Sequence, residues 1–341
     1  MKIKKTLAVA ISSFILTSIF TGCGNIGKSK ESKVEIINVS YDPTRELYEQ
    51  YNEKFREYWK EKNNQDVEII QSHGGSGAQA RSVIEGIGAD VVSLALDHDI
   101  TAIQKEGLIE EGWKDEFPLD SAPYTSTIVF LVRKGNEKNI KDWNDIVKKG
   151  VNIITPNPKS SGGACWSFLA AWAYADKKFS GDEIQIKKFM ADLYNNVSVL
   201  GSGARGATTT FVENGQGDVL ISWENEAYLA IKEHPDEYEI ISPSVSILAQ
   251  PSVAAVDQNI KDSEKEEVAK GYIEYLYSDV GQRIAGDNYY RPTNAEILKE
   301  YSDIFNLDID LVNIDDFGGW DAAYDKFFKD GGIFDEIYVK P

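Results

Sequence analysis

Short apolar runs rich in β-branched residues alternate with helical patterns from residue 34 onward. Most of these runs lack a polar face, which is typical of strands covered by helices on both sides. The strands predicted in this way span residues 35–39, 67–70, 90–94, 127–132, 151–154, 197–200, 218–221 and 252–256. Strands that alternate with helices predict an α/β fold built on parallel sheets.

The first predicted helix carries several local signals that agree. Asp42 is placed to cap the helix, and Pro43 suits its first turn. The helix is predicted to end near Asn63. Large apolar side chains recur at every fourth position, as expected for one buried face: Leu47, Tyr51, Phe55 and Trp59.

Three of the predicted strands lead into glycine-rich turns that each open a helix, at residues 71–79, 155–163 and 201–206. In the first of these turns, Ser76 and Gln79 have the spacing of a capping box. The first turn of a helix has backbone N–H groups without intrahelical partners and attracts anions, and glycine lets a ligand approach that backbone. A single turn of this kind is typical of plain helix capping. Three turns at the carboxyl ends of parallel strands, where open α/β sheets bind ligands, favour an anion site.

The side chains near these turns narrow the choice of anion. Neutral donors hold a small oxyanion without a countercharge in contact, and the three turns share no cluster of lysine and arginine. We interpret Arg81 and Arg205 as salt-bridge residues rather than ligands. Trp223 carries an indole N–H that can only donate, with core packing as its alternative role. Sulfate accepts hydrogen bonds and offers none, whereas protonated phosphate must also donate, so a donor-only site favours sulfate.

Composition and charge restrict the class of protein. A chain of 341 residues with 42% apolar and 27% charged residues has room for two lobes and excludes a disordered tail. Its 36 Lys+Arg against 55 Asp+Glu give a formal net charge of −19, which disfavours nucleic acid and anionic lipid as partners. The three histidines, His73, His98 and His234, show no metal-ligand spacing, so we expect neither a metal nor a cofactor.

The N-terminal residues predict export. Residues 1–22 combine a basic start with an apolar run too short to span a bilayer, as in a signal peptide. Small residues precede Cys23, which resembles the lipobox of bacterial lipoproteins; the alternative is an ordinary signal with an accidental cysteine. We expect a lipidated Cys23, a flexible tether at residues 23–33 and an anchor on the outer face of the cell membrane. Cys165 then has no disulfide partner and is interpreted as a buried or half-buried thiol.

Longer motifs resemble one family. Residues 38–48, 71–77, 121–127, 154–163, 202–206, 290–292 and 317–320 resemble the periplasmic-type sulfate-binding proteins of ABC importers and their thiosulfate-binding relatives. The resemblance covers residues 34–334. It implies a two-lobed, type II-like periplasmic-binding-protein fold, with crossing strands near residues 125–132 and 248–256 that join the lobes. Lobe one is predicted to comprise residues 34–119 and 250–341, and lobe two residues 120–249.

The resemblance also implies the ligands and partners. The implied donors are the hydroxyls of Ser76 and Ser161, the backbone N–H groups of Gly162, Gly163 and Ala204, and the indole of Trp223. Three residues are expected beside the anion rather than in contact with it: Asp42, Gly75 and Arg205. The protein is expected to act as a monomer that presents sulfate, or alternatively thiosulfate or another tetrahedral oxyanion, to the membrane subunits of an ABC permease. The sequence departs from the family's commoner pattern at Ala78, where lysine is frequent, and at Cys165, where arginine is frequent.

Two other classes of protein stay open from the residues alone. Residues 201–206 match G-x-G-x-x-G between a strand and a helix, so a dinucleotide-binding enzyme is a rival. Against it, the match is isolated, and nicotinamide cofactors are not ordinarily supplied outside the cell. A surface adhesin is the other alternative, and it would leave the three glycine-rich turns unexplained. Cys165 has no histidine at suggestive spacing, so we expect no nucleophilic catalysis.

Overall fold

A computed structural model describes residues 33–338. The predicted signal peptide (1–22), Cys23 and the predicted tether up to residue 32 lie outside the described residues. The strands, in chain order, are β1 (Lys33–Tyr41), β2 (Asp66–Gly74), β3 (Val91–Leu94), β4 (Tyr124–Thr125), β5 (Ile128–Arg133), β6 (Ile153–Pro156), β7 (Val197–Gly201), β8 (Val219–Trp223), β9 (Tyr238–Ile241), β10 (Val245–Ile247), β11 (Ser252–Ala255), β12 (Arg291–Pro292) and β13 (Asp310–Val312).

Helices separate most of these strands. In chain order they are α1 (Arg45–Asn63), α2 (Ser76–Ile84), α3 (Asp97–Lys105), α4 (Trp113–Glu116), α5 (Pro118–Ser121), α6 (Trp143–Ile146), α7 (Gly162–Phe179), α8 (Glu183–Asn195), α9 (Ala204–Val212), α10 (Glu224–Glu233), α11 (Asp257–Ile260), α12 (Lys265–Leu276), α13 (Asp279–Asp287), α14 (Ala295–Glu300), α15 (Gly319–Ala323) and α16 (Ile333–Ile337). Short 3₁₀ turns at Asp42–Thr44 and Ile314–Phe317 and a π turn at Tyr324–Phe328 complete the set. No helix within residues 33–338 is both long and apolar enough to cross a membrane.

The first sheet has four strands in the order β11-β3-β1-β2. Strand β1 runs parallel to β2 and β3, and β11 is antiparallel to β3. Residues of β3 and β11 are buried along their whole length, as the missing polar face predicts for strands with helices on both sides. The carboxyl ends of β1, β2 and β3 therefore meet at one edge of this sheet.

The second sheet has five strands in the order β7-β6-β8-β5-β9. Strand β6 is parallel to both β7 and β8, whereas β5 is antiparallel to its neighbours β8 and β9. The carboxyl ends of β6, β7 and β8 consequently share one edge. Two of the three glycine-rich turns begin there, and the third begins at the corresponding edge of the first sheet.

Two segments connect the sheets. One runs from β4 into β5, and the other runs from β10 into β11. Ser126 and Ala249 pair across these segments, since each backbone N–H donates to the other residue's carbonyl at 2.9 Å. Two connected sheets of this kind define a two-lobed α/β fold with crossing strands, as the resemblance implied.

Helix α1 confirms the predicted apolar face, because Leu47, Tyr51, Phe55 and Trp59 are all buried. The predicted cap at Asp42 is wrong. Asp42 belongs to a 3₁₀ turn that precedes α1, so its carboxylate lies outside the capping position and instead meets Arg45 Nη2 at 3.4 Å.

The predicted capping box at the start of α2 is also wrong. Ser76 is the first residue of the helix rather than the residue before it. Gln79 turns inward and donates from Nε2 to Ser40 O at 3.1 Å and to Ser72 Oγ at 3.0 Å. The side chain of Gln79 therefore ties α2 to strands β1 and β2, and the Ser76 hydroxyl is left for other partners.

The C-terminal residues contact helices of the second sheet. The Phe168 ring of α7 lies 5.6 Å from the Phe327 ring, and the Tyr194 ring of α8 lies 5.2 Å from the Phe334 ring. Strand β13 also pairs with β10. The sequence-based boundaries place residues 250–341 in lobe one, and these boundaries stay a prediction.

Candidate functional site

The first wall of the candidate site lies where β2 leads into α2. Gly75 precedes this helix, and a Cβ there would lie 2.9 Å from Ser160 O, so glycine permits a close approach of the backbones. Ser76 is only 2% exposed. Its Oγ accepts the Ala95 N–H at 3.0 Å and donates to Asp99 Oδ2 at 2.5 Å.

The second wall is the first turn of α7, which follows β6. Ser161 precedes the helix, and Gly162 and Gly163 are its first two residues. A Cβ on Gly162 would lie 3.0 Å from Ser76 Cβ, and a Cβ on Gly163 would lie 2.5 Å from Trp223 Nε1. Glycine at both positions lets this helix start fit between its neighbours, and its first N–H groups have no intrahelical partner.

The third wall is the start of α9, which follows β7. Ala204 is the first residue of the helix, and Gly203 precedes it. A Cβ on Gly203 would lie 3.3 Å from Asp42 Oδ2, so this turn approaches the segment after β1. Ser160 Oγ donates to Ser202 O at 2.9 Å and ties the second turn to the third.

The three helix starts surround one small cavity with about 220 Å³ of empty space, including its solvent-facing mouth. Its lining contains four of the predicted donors, namely Ser76, Ser161, Gly163 and Ala204, together with Asp42 and Gly75. The remaining lining residues are Tyr41, Pro43, Gly74, Ala95 and Gly203. Asp42 is the one lining residue with a charged side chain, and neutral backbone and hydroxyl groups from both sheets make up most of this cavity.

Two predicted donors, Gly162 and Trp223, are not among the lining residues. Gly162 lies next to two of the lining residues, since a Cβ there would lie 3.0 Å from Ser76 Cβ and 3.1 Å from Ala95 Cβ. Trp223 is 1% exposed, and its indole N–H donates to Gly163 O at 3.2 Å. The indole thus supports the helix start that lines the cavity, and direct donation from Trp223 to an anion stays a prediction.

Arg205 is bound by two carboxylates, which confirms the salt-bridge interpretation. Its Nη1 and Nη2 donate to both oxygens of Glu46 at 2.9 Å, and its Nε and Nη2 donate to Glu226 Oε1 at 3.2 and 3.0 Å. Glu226 also accepts from Thr208 Oγ1 at 2.9 Å. We call Arg205, Glu46 and Glu226 the Arg205 cluster; it links α1 with α9 and α10.

The pKa values of the two carboxyls in the Arg205 cluster shift in opposite directions. Burial raises the pKa of Glu46, but the hydrogen bonds and charge of Arg205 outweigh burial, so the pKa of Glu46 is lowered. Burial raises the pKa of Glu226, and Arg205 only partly offsets it. Sequence reasoning missed both glutamates, because each lies far along the chain from Arg205 and no spacing signals the contact.

A second buried ion pair also escaped the sequence. Arg291 Nε and Nη2 donate to the two oxygens of Glu224 at 2.7 and 2.9 Å, with side-chain exposures of 6% and 1%. Glu224 directly follows Trp223 at the start of α10. The next residue, Asn225, donates from Nδ2 to Pro43 O at 3.2 Å. This pair therefore fixes the end of β8 behind the cavity.

Burial shifts the pKa values of two ionisable groups near the cavity. Burial, helped by the charge of Arg45, lowers the pKa of His73 to about 4, so this imidazole is neutral at pH 7. Burial raises the pKa of Asp99, against the hydrogen bond from Ser76, which lowers it. His73 Nδ1 lies 2.7 Å from Ser40 Oγ. The imidazole thus contributes no positive charge to the site at neutral pH.

The interpretation of Cys165 as a buried thiol is confirmed, since it is 1% exposed. Burial, followed by the negative charge of Asp99, raises its pKa well above the usual range for a thiol. A protonated thiol is a weak nucleophile. Within residues 33–338 no group of three or more His, Cys, Asp and Glu side chains could hold a metal ion.

The chain matches the family of bacterial extracellular solute-binding proteins over residues 37–291. It therefore belongs to this family, and it is an extracytoplasmic binding protein with the two-lobed periplasmic-binding-protein fold. Among its relatives, the sulfate-binding protein of Escherichia coli K12 is 56% identical over 306 residues, which is 89% of this chain and 93% of the relative. The thiosulfate-binding protein of Pseudomonas aeruginosa is 43% identical over 316 residues, or 92% of this chain and 95% of the relative.

A solved structure shares the architecture. The sulfate-binding protein SubI from Mycobacterium tuberculosis superposes with a TM-score of 0.78 at 29% sequence identity, covering 87% of this chain and all of that one.

Proposed function

We propose that this protein binds sulfate in the cavity at the three helix starts and delivers it to an ABC permease. The observation that carries the proposal is the convergence of Ser76, Ser161, Gly163 and Ala204 on one small cavity. Helix starts and hydroxyls attract an anion, and a dianion that only accepts hydrogen bonds suits a set of donors. The names of the relatives from Escherichia coli and Mycobacterium tuberculosis support sulfate as the ligand.

Two features support a small anion held by dipoles: the cavity is small, and the nearby Arg205 is already paired with carboxylates. The empty space of about 220 Å³ includes the solvent-facing mouth, so the enclosed part is smaller and suits a small anion better than a dinucleotide. Arg205 is bound by Glu46 and Glu226, and His73 is neutral at pH 7. Residues 201–206 therefore serve as an anion-binding turn in this proposal, and the protein acts as a carrier without catalysis.

Binding and closure are coupled in the proposed mechanism. Ser76 belongs to the edge of the first sheet, whereas Ser161, Gly163 and Ala204 belong to the edge of the second. The anion gains its full set of donors only when both edges meet around it, so it favours the closed state of the lobes. The predicted lobe boundaries, 34–119 plus 250–341 and 120–249, belong to this proposal.

The test is isothermal titration with sulfate, thiosulfate and phosphate at pH 8. Ser161→Ala removes a cavity hydroxyl and is expected to weaken sulfate binding by about 1.5–3 kcal/mol, the usual contribution of a hydrogen bond to a charged group. Ser82→Ala is the matched control, because that hydroxyl donates to Ala78 O within α2 and does not line the cavity. Equal affinity in the two variants would remove Ser161 from the site, and equally tight phosphate binding would contradict the donor-only site.

Thiosulfate is the second candidate ligand, since a 43% identical relative is named for it. Thiosulfate differs from sulfate by one oxygen-to-sulfur exchange and carries the same charge. A dissociation constant for thiosulfate below that for sulfate would assign the protein to the thiosulfate branch, with the same cavity and the same partners.

Attachment to the membrane is proposed through lipidated Cys23, with the protein acting as a monomer beside its permease. The lipobox-like residues before Cys23 support this part of the proposal. Cys23→Ser is expected to release the protein from the membrane fraction of expressing cells, because the acyl chains are lost. A membrane-bound Cys23→Ser variant would show that another element anchors the chain.

A further inference from the structure

The backbone of Ala95 joins two walls of the cavity. Ala95 directly follows β3, is fully buried and belongs to the cavity lining. Its N–H donates to Ser76 Oγ at 3.0 Å, at the start of α2. Its carbonyl accepts the indole N–H of Trp166 at 2.8 Å, from the second turn of α7. One residue at the edge of the first sheet therefore bonds to a helix from each side of the cavity.

Trp166 is placed for this contact by its position on α7. It lies four residues after Gly162, on the same face of the helix. A Cβ on Gly162 would lie 3.1 Å from Ala95 Cβ, so this face rests on the residue that the indole holds. Trp166 itself is fully buried. An indole N–H can only donate, and a buried one that loses its acceptor costs free energy.

The ring of Trp166 also packs against Trp320. The two rings meet edge to face with 4.6 Å between their centroids, which is a favourable aromatic geometry. Trp320 follows Gly318 and Gly319, which both have a φ of +82°, a conformation that favours glycine. The turn at residues 317–320, one of the motifs shared with the family, thus presents a large ring that holds the Trp166 indole in place.

The donor and the acceptor of this hydrogen bond lie at the edges of different sheets, which the proposed mechanism brings together around sulfate. We propose that Trp166 is a positioning residue for the anion: its indole binds Ala95 O in the closed state and loses this partner when the lobes open. Trp166 does not line the cavity, yet a bond made only in the closed state adds to the free energy of sulfate binding. This inference rests on the proposed sulfate site.

The first measurement is hydrogen exchange of the indole N–H groups, followed by NMR on the mature chain with and without sulfate. Trp143 is the internal reference, because its indole donates to the backbone carbonyl of Val245 at the same distance of 2.8 Å. Both of these residues lie in the predicted lobe two, so opening of the lobes leaves their bond intact. We expect sulfate to slow the exchange of Trp166 at least about tenfold more than that of Trp143.

The second measurement is the affinity for sulfate by isothermal titration. Trp166→Phe keeps a large ring and removes the donor, so we expect the dissociation constant to rise about fivefold, as for one lost neutral hydrogen bond. Stopped-flow displacement is expected to show the change as faster release. Trp172→Phe is the matched control, because this buried tryptophan of α7 has an indole N–H without a hydrogen bond among residues 33–338.

Two results would overturn this inference while leaving the sulfate site intact. One is equal slowing of exchange at Trp166 and Trp143, since the bond would then persist in both states. The other is equal sulfate affinity in Trp166→Phe and Trp172→Phe, even if Trp166→Phe is less stable in denaturant. Absence of sulfate binding by the wild type would overturn the proposed function and this inference together. If Trp166→Phe fails to fold, the exchange measured on the wild type decides the question alone.

Discussion

Ala204 and Arg205 are neighbours in the chain, yet they belong to regions of opposite chemistry. Ala204 lines a cavity of hydroxyls and helix starts, whereas the Arg205 cluster saturates one guanidinium with two carboxylates. A cation held by Glu46 and Glu226 is not free to contact the anion, so the charged cluster organises the backbone around the cavity. In the proposed site, charged pairs therefore hold the surrounding structure in place, while the cavity is lined mainly by neutral dipoles.

The largest effect is expected from a methyl group added at the start of α7, which forms one wall of the cavity. Gly163→Ala places a Cβ 2.5 Å from Trp223 Nε1, so the start of α7 must shift away from its position. A shift there displaces more than one donor, and we expect sulfate affinity to fall more than about 100-fold, at about 1.5–3 kcal/mol for each lost hydrogen bond. Titration calorimetry checks the loss.

The control for Gly163→Ala is Gly206→Ala in α9. A Cβ on Gly206 would lie 3.7 Å from Ser202 Oγ, an ordinary contact, so this variant is expected to bind like the wild type. Equal affinities in Gly163→Ala and Gly206→Ala would mean that the start of α7 is not a wall of the site.

The charged region is tested by Arg205→Leu, which leaves Glu46 and Glu226 without their cation. Breaking a buried pair costs about 3–5 kcal/mol, and the partial exposure of Arg205 reduces the expected loss of unfolding free energy to about 2 kcal/mol. Arg283→Leu is the matched control, because the Arg283–Glu300 pair is exposed to solvent and is expected to contribute little to stability. Denaturant unfolding without sulfate measures the free energy of unfolding of both variants. Equal losses in Arg205→Leu and Arg283→Leu would show that the Arg205 cluster has no special role in stability.

Trp223→Phe lies at the boundary of the two regions. The variant keeps a large ring but removes the N–H that donates to Gly163 O. Because Trp223 is also one of the predicted donors to the anion, we expect sulfate affinity to fall about tenfold, close to the lower end of the 1.5–3 kcal/mol that a hydrogen bond to a charged group contributes. Calorimetry gives the affinity and thermal unfolding the stability. A lower stability with unchanged affinity would place the indole in the supporting structure and outside the ligand set.

Local patterns predicted much of the fold. The β-branched runs located the strands of both sheets except β9, and the four-residue spacing of Leu47, Tyr51, Phe55 and Trp59 located the buried face of α1. The short strands β10 and β13 were missed, because three-residue segments carry too little pattern and depend on pairing with each other. The capping predictions at Asp42 and Ser76 were wrong, since tertiary contacts moved both residues away from the capping position.

The candidate site was predicted less completely. The glycine-rich turns and the family resemblance identified Ser76, Ser161, Gly163 and Ala204, which the structure brings to one cavity. The partners that orient these groups were not predictable from spacing. Asp99 lies 23 positions from Ser76, and Glu46 lies 159 positions from Arg205. Such contacts depend on tertiary packing rather than on any local run of residues.

The mutual bonding of Ser126 and Ala249 has a consequence for how the molecule moves. Because each residue donates to the other's carbonyl, the two connections cannot bend separately without breaking two backbone hydrogen bonds. We therefore expect the two connections to bend together as one hinge. A permease that opens the lobes at this hinge would separate Ser76 from Ser161 and release the ligand.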